Sequence, residues 1–234
     1  MEVISAKEEK ISIDGKEVEA LIYCVHIKIS DLNHRAGQMI RHISDMSWID
    51  KLGAVERLSF EARAERTVIK LVKLIKQRSK NKLTEDFGEF LVSDSAQDVL
   101  VKQFDHIKVP LAELLKEKVS GNPGFDFHTE SASNLISFGE AKYSGTINPH
   151  GKALSQIVEF IDKKKDEAEL VDLQHFVTSN AVDNFMKGRK SYSAAFSINS
   201  NKPNRIMENA LTSEFINKIL DHPEIYLVGV EVDA

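Results

Sequence analysis

Between Pro123 and Lys142 the chain reads PGFDFHTESASNLISFGEAK, and three of its side chains could act together on a phosphodiester. Asp126 sits in one short apolar run, Glu140 and Lys142 close another, and the turn-like Ser131-Ala132-Ser133-Asn134 separates them. Read as a β-hairpin, this stretch brings residues 126 and 140 near one another across the ladder. Side chains alternate along a strand, so Glu140 and Lys142 share a face about 7 Å apart, while Leu135, Ser137, Gly139 and Ala141 take the other. That second face is small and partly apolar, as expected where a helix packs closely. Two adjacent carboxylates repel and need a cation, a shared proton or a positive neighbour. Mg2+ suits oxygen ligands, uses one or two protein carboxylates and completes its shell with water and substrate phosphate. It acidifies that water and stabilises charge building on the phosphate. A lysine alongside can orient the water or meet the developing charge. Taken alone, Glu-x-Lys is an everyday ion pair of exposed strands. The apolar strand that precedes it and the aspartate after Pro123-Gly124 carry the chemical reading.

The surrounding elements must place these groups. Thr84 is a fitting N-cap for a helix over 85–103, with Glu85 and Asp86 in the first turn where the helix dipole favours acids. Phe87, Phe90 and Leu91 give that helix an apolar side, and Glu89 lies beside it. Downstream, Gly145 to Gly151 reads as a loop, followed by a helix from Lys152 to about 165 with Leu154, Ile157, Val158 and Ile161 in one stripe and Gln156 beside it. Upstream, residues 11–29 read as two strands around Asp14-Gly15, a hairpin signal. A helix interrupted at Gly37 is expected over 31–50. From Ala54 to Lys80 a clearer helix has Val68, Leu71, Val72 and Ile75 on one face. Residues 61–82 carry eight basic side chains against two acidic ones, Lys70 and Lys73 among them. Such a run is ordinarily a solvated face, and its sharper reading is a contact with phosphate backbone or an acidic partner.

Residues 106–116 fit strand or helix equally, and Gly121-Asn122-Pro123-Gly124 is a turn. Further helices are expected over Leu170–Met186 and Pro203–Leu220, and strands over Tyr192–Ile198 and Ile225–Val232. The fold class is α/β, with a mixed central sheet flanked by helices and an N-terminal α+β extension. The natural seam lies near Lys80–Lys82, which divides residues 1–82 from 83–234.

With 42% hydrophobic and 29% charged residues in 234, the composition is that of an ordinary globular chain. No apolar run could span a bilayer, and the start lacks a signal-peptide pattern. The single cysteine, Cys24, excludes an internal disulfide and makes the cytoplasm the expected compartment. No Cys/His cluster has zinc-ligand spacing, and no P-loop or Rossmann glycine loop is present. The net charge of −5 argues against tight unaided binding to DNA.

Gly124-Phe125-Asp126 followed by Gly139-Glu140-Ala141-Lys142 resembles the PD-(D/E)xK nuclease superfamily. The family's leading proline is displaced here, since Pro123 precedes Gly124-Phe125 rather than Asp126. The resemblance implies a restriction-endonuclease-like α-β-β-β-α-β core over 83–198 and Mg2+, with Mn2+ as a substitute. It also implies metal ligation by Asp126 and Glu140, a further carboxylate from Glu89, Lys142 as the water-orienting group, and support from Gln156. The phrases DFGEF, PGFDF and FGEAK resemble more specifically the nuclease subunits of Hachiman antiphage systems. This implies DNA cleavage under the control of a helicase partner that supplies the ATP-driven step. The alternatives are a nuclease fold kept only as a binding or structural subunit, and a standalone restriction-type or junction-resolving nuclease. Lys152, at a helix start, joins Lys70 and Lys73 as candidates for nucleic-acid or partner contact, and His150 beside it could likewise touch phosphate; His128 shares strand parity with Asp126 but is not assigned to the site.

Overall fold

The computed structural model describes residues 1–13, 16–77, 83–116 and 124–233, and of residues 13, 16 and 17 the backbone alone. The Asp14-Gly15 turn, the seam near Lys80–Lys82 and the first three residues of the Gly121–Gly124 turn fall outside these. In chain order come strands β1 (Glu2–Glu9), β2 (Ser12–Ile13), β3 (Lys16–Glu17) and β4 (Leu21–Ile29), then helices α1 (Leu32–Ser44), α2 (Ala54–Gln77) and α3 (Glu85–Phe104). They are followed by β5 (Ile107–Lys108), α4 (Ala112–Lys116), β6 (Phe127–Glu130), β7 (Ile136–Lys142), α5 (His150–Asp162), α6 (Lys165–Leu173) and α7 (Ser179–Met186). β8 (Ser191–Ile198), α8 (Pro203–Leu211) and β9 (Glu224–Val232) complete the order.

Seven strands form one mixed sheet in the order β1-β4-β9-β8-β7-β6-β5, and β2 and β3 form a separate small ladder. The pairs β4/β9, β9/β8 and β8/β7 are parallel, and the outer pairs are antiparallel. Strands from both sides of position 82 thus share one sheet. The central strands read as long β-branched and aromatic runs because both faces are covered. Alternation splits them cleanly. Tyr192, Ala194, Phe196, Ile225 and Leu227 face a core with Leu154 and Ile157 of α5 and Phe185 of α7. Ala141, Ala195, Val228 and Val230 face a second core with α3, Met39 and Ile43 of α1, and Leu71 of α2.

The face turned to α3 is small where α3 crosses. Ser137, Gly139 and Ala141 of β7 stand opposite Ser191, Ser193 and Ala195 of β8. The Ser137 and Ser193 hydroxyls share a 2.8 Å hydrogen bond, so these buried oxygens are satisfied within the sheet. From Phe87 to Leu100, Glu89 is the one residue of α3 that is not buried, because the sheet lies on one side of the helix and α1 on the other. Thr84 caps it, its Oγ1 accepting from the Phe87 amide, as the sequence predicts.

Several expectations are corrected. α1 runs unbroken through Gly37, where a glycine costs about 1 kcal/mol and does not stop a packed helix. The 106–116 stretch is both things in turn, a two-residue strand and then α4. Leu170–Met186 is two helices, since Thr178 starts a new one by accepting from the Ala181 amide. Pro203–Leu220 ends as a helix at Leu211, followed by a 3-10 turn over Ile216–Lys218. β4 takes β1 and β9 as its neighbours rather than the strand around residue 12.

Candidate active site

The β6–β7 hairpin has the register expected of it, with Phe127 opposite Gly139. Asp126, one residue before β6, donates its amide to Gly139 O at 2.8 Å, and its Oδ2 accepts the Ala141 amide at 2.8 Å. The carboxyl is therefore held by backbone across from Glu140, near enough for its charge to act on the Glu140 carboxyl. Lys142 Nζ donates to Glu140 Oε1 at 2.6 Å and lies 3.6 Å from Glu89 Oε1. Asp126, Glu140, Lys142 and Glu89 thus converge at the end of β7 nearest the start of α3.

Burial decides the electrostatics. Glu140 is 1% exposed, and its carboxyl is raised well above the ordinary range by desolvation first and by Asp126 second. Asp126 and Glu89 are also raised by burial, with Lys142 opposing the shift in each. Burial pulls the Lys142 ammonium down, but Glu140 and Asp126 outweigh it and hold the lysine cationic. Glu140 Oε2 is buried without a hydrogen-bond partner. A buried carboxylate oxygen left this way is costly unless it meets a proton or a cation. The donor set is all oxygen, so the residues present fit Mg2+ or Mn2+.

Two close approaches set this geometry. At Gly88 an added Cβ would lie 2.1 Å from the Tyr143 ring, so α3 meets the end of β7 without a side chain between them. This brings Glu89 beside Lys142. Gly88→Ala is expected to cost about 1–3 kcal/mol by overpacking and to weaken Mn2+ binding. Thermal melts and calorimetric titration check both, and adding Tyr143→Ala should recover part of the stability. At Gly124 an added Cβ would fall 1.6 Å from Glu169 Oε1. That carboxylate of α6 accepts from the Phe125 amide at 3.0 Å, while its Oε2 meets His128 Nε2 at 2.7 Å. Lys116 of α4 donates to Phe125 O at 3.2 Å and also pairs with Glu169. The peptide groups leading into Asp126 are gripped from two helices. His128, near Asp126 in sequence, is part of this buried clamp; burial lowers its pKa.

Other sequence candidates lie apart. Gln156 is half-buried on α5, which packs against β7, and among the described residues it makes no hydrogen bond to the acid groups. Lys152 is exposed in the first turn of α5, and Lys70 and Lys73 are exposed on α2. His150 packs edge-on to Phe196.

Sequence reasoning missed Glu113 of α4, 8% exposed, whose carboxyl is pushed up to about 8 by burial and then by Asp126. Its residue type within PLAELLK gave no sign of this, because the strand-or-helix ambiguity of 106–116 left its direction open. It also missed a second acidic cluster. Among the described residues, His42, Asp94 and Asp98 form the group of three whose ligand atoms lie within 4.8 Å of one another. They line a cavity of about 380 Å³ with Trp48, Lys108 and Leu111. The buried Arg35 already pairs with both carboxylates, reaching Asp98 at 2.7 Å, and Lys108 lies 3.2 Å from Asp98. Two fixed cations balance the two acids, so a metal would have to displace them. The cluster is an ion-pair network first.

No protein-family model matches the chain, and no curated protein sequence matches it. No helix among the described residues is long and apolar enough to cross a membrane.

Proposed function

We propose that the chain is a Mg2+-dependent deoxyribonuclease of the PD-(D/E)xK type, acting with a helicase partner in antiphage defence. The observation that carries this reading is the convergence of Asp126, Glu140 and Lys142 at one end of the hairpin, with the buried Glu140 Oε2 lacking a partner. The order α3, β5, β6, β7, α5, β8 supports it, being the order of core elements that the resemblance implies, with α4, α6 and α7 as additions.

Asp126 and Glu140 would hold the cation, and Glu89 would reach it from α3. When bound, Mg2+ supplies Lewis-acid stabilisation of charge on the scissile phosphate. Lys142 remains protonated, so it donates to the attacking water or a phosphate oxygen rather than accepting a proton. The backbone amide of Ala141 fixes Asp126 in place, so little has to reorganise when substrate arrives. The net charge of −5 and the absence of a nucleotide-binding motif support dependence on a partner for DNA affinity and for ATP-driven steps. Exposed Lys70, Lys73 and Lys152 are the surfaces offered to DNA or to that partner.

The test is cleavage of supercoiled plasmid with Mg2+ or Mn2+, with and without the helicase. Conversion to nicked or linear product that EDTA abolishes is expected. Cleavage that survives both Asp126→Asn and Lys142→Ala would sink the assignment.

A further inference from the structure

We infer that the outer face of α2 is a self-association surface, on which a second copy of this chain docks its own α2 antiparallel, across a two-fold axis at Ala62. The inference goes beyond the nuclease reading and does not depend on it.

A surface helix needs one apolar face to hold it on the core. α2 has that face, with Phe60, Ala64, Thr67, Leu71 and Ile75 buried and the helix packed on α1 and α4. It also has a second one. Val55, Leu58 and Ile69 are 77%, 72% and 71% exposed, and the exposed Ala62 lies between them. At 3.6 residues per turn these four fall within about 60° of one another, on the side turned away from the buried residues. Positions 55, 58, 62 and 69 follow the heptad places by which paired helices meet. A single exposed apolar side chain needs no explanation, but an aligned stripe about 21 Å long marks an interaction surface.

Spacing, charge and shape select a second copy as the occupant. Val55 and Ile69 stand seven residues before and seven after Ala62. A two-fold axis at Ala62 therefore sets each Val55 on the second copy's Ile69, and it places a methyl-sized side chain at the crossing, where two helices approach most closely. The acids of α2, Glu56, Glu61 and Glu65, all precede Arg66, and from there onward its charged residues are Arg66, Lys70, Lys73 and Lys76. The two arginines of the first half are engaged within the chain, Arg57 with Asp50 O and Arg63 with Leu115 O. Antiparallel pairing lays the basic half of each helix over the half that holds the acids, whereas parallel pairing lays base on base. A recess of about 360 Å³ lined by Leu52, Ala54, Arg57, Leu58 and Glu61 opens beside the first turns of the stripe. The antiparallel arrangement brings the second copy's Ile69 and half-buried Val72 to it.

Sedimentation equilibrium of the full chain tests this, together with cysteine cross-linking. The wild type is expected to pass reversibly from monomer to dimer as its concentration rises. Ala62→Arg puts a good helix former at an exposed position, so the fold is kept, but it sets two guanidinium groups face to face at the axis. It is expected to weaken the dimer by about a hundredfold. The double variant Val55→Cys, Ile69→Cys is expected to give covalent dimers with a short bis-maleimide. Val55→Cys alone is expected to give none, because its two copies lie about 21 Å apart, and Cys24 is buried. A wild type that stays monomeric up to its solubility limit overturns the inference. So does an Ala62→Arg variant that dimerises as the wild type does, or a cross-link that forms as readily in the single cysteine variant as in the double. Each of these outcomes leaves the nuclease reading standing.

Discussion

Glu140→Gln is expected to lower Mg2+-dependent plasmid cleavage by roughly a thousandfold or more while raising the melting temperature of the metal-free protein by about 2–4 °C at neutral pH. The two effects have one cause. In the metal-free chain the Lys142 ammonium meets both Glu140 and Glu89 and feels Asp126 as well, and of these three acids Glu140 carries the most strongly raised carboxyl. Glutamine keeps the shape and removes a charge that the fold disfavours, while Lys142 keeps Asp126 and Glu89. A cation then has one ligand fewer, and the chemistry fails. The pH dependence follows from the same direction of shift. A carboxyl raised in the folded state contributes stability that is complete below its unfolded value, near 4.5, and that is lost as the pH rises through the folded value. For Glu113 that loss runs to about pH 8. Metal-free protein should therefore melt higher at pH 5 than at pH 8, Mn2+ should reverse the order, and Glu140→Gln should flatten the metal-free profile. A nicking assay beside a melt series across pH checks all of this. Full cleavage by the variant, or a lower melting temperature in the metal-free state, would contradict it.

Arg35→Met should be the most destabilising single change outside the site, costing about 3–5 kcal/mol and lowering the melting temperature by on the order of 10 °C. Arg35 is 1% exposed and bridges Asp94 and Asp98, and its Nε donates to Ser95 Oγ. Removing it leaves one fully buried aspartate with only the half-exposed His42 beside it, and leaves the other to Lys108. The packing lost is small by comparison, because methionine fills much of the stem's space. The triple variant Arg35→Met, Asp94→Asn, Asp98→Asn should therefore be clearly more stable than Arg35→Met alone. Calorimetric melts of the two variants decide whether charge or packing dominates. α1 is docked on α3 through this network, and Glu89 rides on the same helix, so weaker Mn2+ binding should accompany the loss.

What could be read from the residues alone follows from how local each signal is. The Thr84 cap, the first turn of α3 and the hairpin register are set by neighbours within a few positions, and they stand as expected. So does the pairing of residues 126 and 140, since the side-chain period of two and one turn determine it. The sheet order is not local. β9 lies between β4 and β8, with some two hundred residues separating it from β4, and no nearby pattern announces that. The joined reading of α6 and α7 failed because Phe176 and Val177 continue the apolar rhythm through the turn, while the capping by Thr178 is anchored by Glu130 from β6. Glu113 and Glu169 were illegible for a related reason. Each is an ordinary helical glutamate in sequence, and only tertiary placement buries it beside the hairpin.

The place of β9 also bears on synthesis. Among the described residues the sheet is two pieces, β1-β4 and β8-β7-β6-β5, joined through residues 224–232. A ribosome delivers the hairpin acids long before it delivers that strand. Until then β4 and β8 each present an unpaired parallel edge, and long-range closure of this kind is slow. The nascent chain therefore passes through an interval in which the acidic end of the hairpin exists without its finished support, and the geometry around Asp126 and Glu140 is completed only near the end of synthesis.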